Sequence, residues 1–139
     1  MCVIVDNNVA ATLLLGATPV RQWLFGQTGK PRLVLGGKLD SELRRNLEVL
    51  RQLVELERAG RLRVVQPAIH PKIAGLCRSN DTHVIGLALA SGARTLCTDD
   101  RDLIQDFRNP KIIKAPRGNV YSKLAHRRLL RHTGSCGMG

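Results

Sequence analysis

Short apolar runs alternate with helical stretches along this chain, and that alternation constrains the fold more than any other feature. Five runs have the length and composition of buried strands: Val3–Val5, Leu33–Leu35, Leu62–Val65, Arg94–Cys97 and Lys111–Lys114. Strands that are separated by helices pair in parallel through right-handed crossovers, with helices on both faces of the sheet. We therefore expect a three-layer α/β/α fold with a central parallel sheet.

The longest helical pattern runs from Leu39 to Ala59, where apolar residues recur at intervals of three and four. Asp40 or Ser41 is a candidate cap for its start, and Gly60 stands where it should end. Further helices are predicted over residues 9–15 and 82–90 and in a short stretch that ends at 107. The pair at positions 36 and 37 is Gly-Gly, which predicts a turn.

The charge balance favours a polyanionic partner. The chain has 22 Lys and Arg residues against 11 Asp and Glu residues, which gives a formal net charge of +11 and a pI near 10.6. Phosphate backbones are the commonest partner of such chains, although net charge alone does not exclude anionic lipid or a merely basic surface. Aromatic residues make up only 3% of the chain, so binding mainly by base stacking lacks the side chains that it needs.

The carboxyl-terminal part carries much of this charge. From Arg108 onward there are eight Lys or Arg residues and no Asp or Glu. We expect residues 1–119 to form one domain, followed by a basic helix and tail over residues 120–139. The candidates for contacts with nucleic acid are Lys123, Arg127, Arg128 and Arg131. A solvated helix docked on its own domain explains the same pattern equally well.

Several classes of protein are disfavoured. No apolar run reaches the roughly 18 residues that span a bilayer, and the start, MCVIVDNN, lacks the pattern of a secretion signal. The four cysteines lack zinc-site spacing, and we expect them to be reduced in a cytoplasmic protein without membrane contact. The histidines fit no motif and are predicted to be surface or tail residues: His70, His83, His126 and His132.

The acidic residues, in contrast, are concentrated. Asp6 follows the first predicted strand, and Asp99, Asp100 and Asp102 follow the strand that ends at Cys97. The carboxyl ends of parallel strands share one edge, where ligands collect. Glu42 and Asp81 lie at or near helix starts, which open on the same side. Four separate segments should therefore bring carboxylates together.

Crowded carboxylates raise one another's pKa values unless a cation keeps them ionised. An all-oxygen set suits hard ions such as Mg²⁺ or Mn²⁺. Such ions activate a water and stabilise the charge that develops on a phosphodiester during in-line attack.

Four fragments carry a resemblance to a known family: VIVDNNV, LVLGGKLDSEL, NDTHVIGLAL and TLCTDDRDL. Their order and spacing, from about Val3 to Phe107, resemble those of PIN-domain ribonucleases, a family that includes toxins of toxin–antitoxin pairs. The resemblance implies a metal-dependent endoribonuclease. It also suggests an antitoxin-like protein partner, and a homodimer is left open.

The resemblance also implies roles for single residues. The metal-binding acids would be Asp6, Glu42, Asp81 and Asp100, with Asp102 as a further acid and with Asn8 and Thr98 as hydrogen-bonding supports. Asp99 competes with Asp100 for the fourth place. Asp100 is favoured because it stands two residues after Thr98, as in the family pattern.

Other interpretations remain open. Each acid could serve only as a helix cap or a first-turn acid. The chain could also be a PIN-like module that binds RNA without cutting it, although such a module gains nothing from intact acids. A phosphatase of the haloacid dehalogenase type needs a second aspartate two residues after the first, where this chain has Asn8.

Overall fold

A computed structural model describes residues 2–26, 31–114 and 116–131 of the chain, with only the backbone at Arg131. The strands are β1 Cys2–Val5, β2 Arg32–Leu35, β3 Leu62–Val64, β4 Thr95–Cys97 and β5 Asn119–Tyr121. They form one all-parallel sheet in the order β3-β2-β1-β4-β5. The described residues also form eight helices: α1 Asn7–Leu15, α2 Pro19–Gly26, α3 Gly37–Arg44, α4 Leu47–Arg58, α5 Pro71–Ala74, α6 Thr82–Ser91, α7 Arg101–Arg108 and α8 Arg128–Arg131. The expected α/β class with a central parallel sheet is confirmed.

The centre of the sheet is also the centre of the core. All four residues of β1 are fully buried, as an apolar strand between two parallel neighbours should be. The chain adds β2 and β3 on one side of β1 and then returns to add β4 and β5 on the other side. The strand order therefore reverses between β1 and β4, which is where open α/β sheets form their binding crevices.

The single helix predicted from Leu39 to Ala59 is wrong, because α3 and α4 are separate. The side-chain oxygen of Asn46 accepts hydrogen bonds from the backbone N–H groups of Glu48 (3.0 Å) and Val49 (3.2 Å) and caps α4. Leu47, which continues the apolar spacing in the sequence, is 71% exposed. The start is also earlier than expected, since the residue before α3 is Gly36 rather than Asp40 or Ser41.

The predicted last strand, Lys111–Lys114, is wrong as well. The carbonyl oxygen of Asn109 accepts hydrogen bonds from the N–H groups of Ile112 (3.0 Å) and Ile113 (2.9 Å), which closes a turn there. Both isoleucines are buried, so their apolar character reflects core packing from a turn. The fifth strand comes later, at β5.

The carboxyl-terminal part is built on β5. The segment predicted as a basic helix and tail from residue 120 instead begins in β5 and continues as a 3₁₀ turn, Leu124–His126, and the short α8. Leu130 of α8 is buried. The expected boundary after residue 119 falls inside β5, and residues 132–139 lie outside the described part.

The structure also bears on the expectations about the cysteines and about membrane-spanning helices. Cys77 and Cys97 are free thiols, but Cys2 is disulfide-bonded, so the expectation of reduced cysteines is wrong for Cys2. Among the described residues, none of the helices is both long enough and apolar enough to cross a membrane.

Candidate active site

Asp6 stands where β1 ends and α1 begins, at the point where the strand order reverses. Its backbone N–H donates to the carbonyl oxygen of Cys97 at 2.9 Å, which ties the end of β1 to the end of β4. Its Oδ1 accepts from the N–H of Asn7, and its Oδ2 accepts from the hydroxyl of Thr98, both at 2.8 Å. The side chain thus caps α1 and is also held by Thr98, the residue that follows β4.

Like charges surround Asp6. Burial raises the pKa of the Asp6 carboxyl, and the carboxylates of Asp81 and Asp100 raise it further, while the bonds from Thr98 and Asn7 oppose the rise. Asp81 and Asp100 are therefore electrostatic neighbours of Asp6, and we call these three residues the acid rim. A positive charge placed here would be stabilised by all three.

Thr98 connects two members of the acid rim. Its hydroxyl donates to Asp6 and accepts a hydrogen bond from the backbone N–H of Asp100 at 3.2 Å. Asp100 in turn caps α7, because its Oδ1 accepts from the N–H groups of Asp102 (3.0 Å) and Leu103 (3.2 Å). The support expected from Thr98 is present.

Asp99 points to a different partner. Its Oδ1 accepts a short hydrogen bond from the side-chain amide of Asn8, so the support expected from Asn8 goes to Asp99. Asp100, the residue favoured by its spacing from Thr98, is the one whose charge reaches Asp6. The exposed Asp102 is not among the groups that shift the pKa of Asp6.

Asp81 occupies the capping position of α6 without capping it, because its side chain makes no hydrogen bond to the helix. The preceding loop is fixed by Asp106, a buried residue to which the sequence assigned no role. The Asp106 carboxylate accepts from the N–H of Arg78 at 2.8 Å and from that of Ser79 at 2.9 Å. The backbone at Asp81 is thus held in place, its N–H donating to the hydroxyl of Ser79 at 2.9 Å, while its carboxylate is not used for capping.

Glu42 faces a histidine and is not among the groups that shift the pKa of Asp6. Its Oε1 is 3.4 Å from Nε2 of His83, on α6, and neither atom is solvent-accessible or makes a hydrogen bond to a described residue. The prediction that His83 is a surface or tail residue is wrong, since only 16% of its side chain is exposed. The signal in the sequence was its position two residues after Asp81, in the same helical turn.

A glycine pair sets the start of the helix that carries Glu42. A side chain at Gly36 would place its Cβ 1.7 Å from the carbonyl oxygen of Val65, and Gly37 has a φ of +53°. Both positions therefore require glycine. The turn predicted at these residues is instead the start of α3, with Gly36 as the residue before the helix and Gly37 as its first residue.

The chemistry of these groups suits a metal ion, but their spacing does not. The donors are carboxylate oxygens with excess negative charge, and among the described residues Oε1 of Glu42 and Nε2 of His83 have no hydrogen-bond partner beyond their 3.4 Å contact with each other. Within the described ranges, however, no three His, Cys, Asp or Glu side chains lie close enough together to hold a metal ion. A cation would have to draw these side chains closer than they are.

The basic candidates lie beyond β5. Lys123, Arg127 and Arg128 are exposed, and the side chain of Arg131 lies outside the described residues. Lys123 follows the carboxyl end of β5 closely. Burial raises the pKa of Tyr121, at that end of β5, and the Cys97 thiol adds to the rise, while the guanidinium of Arg127 opposes it.

Arg128 has a different environment. It lines a cavity of about 270 Å³ with Arg108, the last residue of α7. Asp100 caps the opposite end of α7, which at 1.5 Å per residue is about 12 Å away. The basic residues are therefore not all gathered at the acid rim.

Comparison of the chain with family models, with curated proteins and with solved structures gave no match.

Proposed function

We propose that this protein is a metal-dependent endoribonuclease that hydrolyses RNA phosphodiester bonds. The observation that carries the proposal is the acid rim: three carboxylates from separate segments lie close enough for Asp81 and Asp100 to raise the pKa of a buried Asp6. Their place at the reversal of strand order suits a binding crevice. The net charge of +11 suits a polyanionic substrate.

Asp6, Glu42, Asp81 and Asp100 would hold Mg²⁺ or Mn²⁺, with Asp102 as a further acid at the edge. When bound, the ion supplies an activated water and offsets the charge that develops on the phosphate. Thr98 orients the carboxylate of Asp6, and Asp106 keeps the loop before Asp81 in place. Exposed basic residues such as Lys123 and Arg127 would bind the flanking phosphates.

On this proposal the protein acts in the cytoplasm. The family resemblance further suggests the toxin of a toxin–antitoxin pair, with an antitoxin-like protein as partner, and it leaves a homodimer open. The neighbouring gene is a simple check on the toxin role, because a small adjacent reading frame would favour it.

A PIN-like RNA-binding module without cleavage activity is the second candidate. It is favoured by the spacing of the described acids, since no three of them are close enough to hold an ion. Against it, the carboxylate of Asp81 does not cap its helix and lies near the buried Asp6. Two like charges placed in this way cost stability, and a module that only binds RNA gains nothing from them.

The experiment that separates the two candidates uses the full chain and a labelled single-stranded RNA. We expect cleavage to stop in excess chelator and to return when Mg²⁺ or Mn²⁺ is restored. RNA binding measured in chelator controls for loss of the fold. Full cleavage in excess chelator would refute the mechanism, and binding without cleavage in any metal would favour the second candidate.

A further inference from the structure

A cleft of about 210 Å³ with both polar and apolar lining residues lies beside the acid rim and has no role in the proposed function so far. It is bounded by the first turns of α1 and by the residues that follow β4 and end β5. Its polar lining consists of Asn8, Thr12, Thr98, Asp99, Tyr121 and Ser122. The volume equals that of roughly seven waters at about 30 Å³ each, so a single nucleobase fits in it.

The cleft is continuous with the site of the proposed chemistry. Thr98 lines the cleft, and its hydroxyl also donates to Oδ2 of Asp6 at 2.8 Å. Asp99, also in the lining, directly precedes Asp100 of the acid rim. A group bound in the cleft would therefore lie next to a phosphate held at the acid rim.

Two hydrogen-bonding groups of the lining lack protein partners. Asp99 is exposed; its Oδ1 accepts from the amide of Asn8, and its Oδ2, which makes no hydrogen bond within the described part of the chain, is free to accept from a ligand. The hydroxyl of Tyr121 is buried and also has no partner there, and Tyr121 as a whole is 3% exposed. Buried polar groups normally find partners, so the unpaired hydroxyl of Tyr121 in the wall of the cleft points to a ligand.

We propose that this cleft binds one base of the RNA next to the scissile phosphate, and that Asp99 selects guanine. This inference rests on the proposed function, because it assigns the cleft to the same RNA. A single-stranded base can turn its Watson–Crick edge into such a pocket. Val9 and Leu13, which complete the lining, offer apolar surface to the face of the base.

The choice of guanine follows from the chemistry of a carboxylate, which only accepts hydrogen bonds. Guanine presents two adjacent donors on its Watson–Crick edge, N1–H and the N2 amino group, and one carboxylate accepts from both. Adenine and cytosine place an acceptor nitrogen beside their single amino group, and uracil flanks its N3–H with two carbonyl oxygens. Each of these three would set an acceptor against the carboxylate of Asp99.

The test is a titration of the full chain with each of the four nucleoside 5′-monophosphates in chelator. Binding is measured through the NMR chemical-shift changes of the backbone and side-chain amides. We expect GMP to bind roughly 10- to 100-fold more tightly than AMP, CMP or UMP, which is the discrimination of one good two-bond contact. The shifts should centre on Asn8, Asp99 and Ser122. Equal binding of all four nucleotides, or shifts centred elsewhere, would overturn the proposal.

Two variants and a control sharpen the result. Asp99→Asn replaces one acceptor by a donor and should abolish the preference for GMP. Thr12→Phe fills the cleft from an exposed position and should weaken all four nucleotides. Glu57→Gln, which removes an exposed acid on α4, should leave the preference intact. A preference for GMP that survives in both cleft variants would overturn the proposal.

Binding of mononucleotides needs no cleavage, so this inference and the proposed function can fail separately. A chain that prefers GMP but cuts no RNA would refute the nuclease and leave the cleft assignment intact. A chain that cuts RNA in a metal-dependent way but binds the four nucleotides equally would do the opposite. Mapping the cut positions in a random RNA pool should show guanine enriched at one fixed position beside the cut.

Discussion

The acid rim and the basic residues beyond β5 are fixed in very different ways. Asp6 is 6% exposed and is held by three hydrogen bonds, through its backbone N–H and both carboxylate oxygens. Lys123, Arg127 and Arg128 are exposed, and within the described residues they form no ion pair with a carboxylate. The difference suggests two kinds of work. Chemistry needs groups at set positions, whereas attraction of a phosphate backbone needs only nearby positive charge.

The largest effect should come from removing one charge of the acid rim. Asp6→Asn keeps the size of the side chain, and asparagine caps helices about as well as aspartate. If Asp6 holds a cation, the variant should lose several kcal/mol of transition-state stabilisation. The cleavage rate should therefore fall on the order of 100- to 1,000-fold. The measurement is a pair, the cleavage rate and the RNA affinity of the same purified variant.

RNA affinity of Asp6→Asn should hold or improve, because a negative charge is lost near the phosphates. Glu57→Gln is the matched control, since it removes one exposed acid far from β1 in sequence and should leave cleavage unchanged. An Asp6→Asn protein that cuts RNA at the wild-type rate would remove the basis for a nuclease.

A smaller effect is expected at Thr98, whose hydroxyl links Asp6 to Asp100. Thr98→Val keeps the shape of this buried side chain and removes both hydrogen bonds. Loss of such an outer-shell partner typically costs 10- to 100-fold in metal affinity or activity, and we expect roughly that loss here. Thr98→Ser should restore most of it, because serine keeps the hydroxyl. Equal losses in the two variants would assign Thr98 to packing alone.

These two regions also differ in how far the sequence revealed them. Asp6, Asp81 and Asp100 could be placed because each follows a strand or begins a helix, and the order of a parallel sheet brings such points to one edge. Local features of this kind can be predicted correctly even where other elements of the fold are predicted wrongly. The positions of Asp6, Asp81 and Asp100 at helix starts were predicted even though the helix predicted from Leu39 to Ala59 is in fact two helices.

What the sequence could not reveal depends on tertiary contacts. Ile112 and Ile113 have the composition of a strand, but they pack from a turn, while the three-residue β5 has no periodic signal. The contact between Glu42 and His83 joins α3 and α6 through two residues that are 41 positions apart in the sequence. Asp106 has no motif, and only the fold brings it to the N–H groups of Arg78 and Ser79.

The placement of β5 changes how the basic residues should be tested. A deletion from Val120 onward would cut through a strand of the sheet, so substitutions are the better probe. Replacing Lys123, Arg127 and Arg128 by Gln should lower the salt dependence of RNA binding, by about 0.7 in the log–log slope for each lost phosphate contact. The measurement is RNA affinity at several salt concentrations.

Single substitutions should show how much each residue contributes to the salt dependence of RNA binding. Lys123→Gln and Arg127→Gln should each lower the slope, because these residues lie near the carboxyl end of β5. Arg128→Gln should lower it least, since Arg128 lines a cavity shared with the far end of α7. Arg51→Gln on α4 is the control for loss of one exposed positive charge. An unchanged slope in the triple variant would assign these residues to a protein partner.

The smallest effect concerns stability without metal, and it follows from the pKa of Asp6. Burial raises this pKa, and Asp81 and Asp100 raise it further, so the folded protein binds the proton more tightly than the unfolded chain does. The stability that Asp6 contributes is therefore fully present below the unfolded pKa, about 3.9. It is lost as the pH rises through the folded pKa. At neutral pH in chelator, the ionised Asp6 should lower the free energy of unfolding.

Asp6→Asn does not titrate, so in chelator at pH 7 its Tm should exceed that of the wild type by a few degrees, the size of shift that about 1 kcal/mol produces in a domain this long. The gap should shrink as the pH falls towards 4, because a protonated Asp6 is then as neutral as Asn. Adding Mn²⁺ at pH 7 should raise the Tm of the wild type and not that of the variant, because a cation stabilises only the ionised form. A gap that widens as the pH falls would mean that the hydrogen bonds from Thr98 and Asn7 outweigh burial and repulsion. Asp6 would then be a satisfied helix cap, and the acid rim would have no need of a cation.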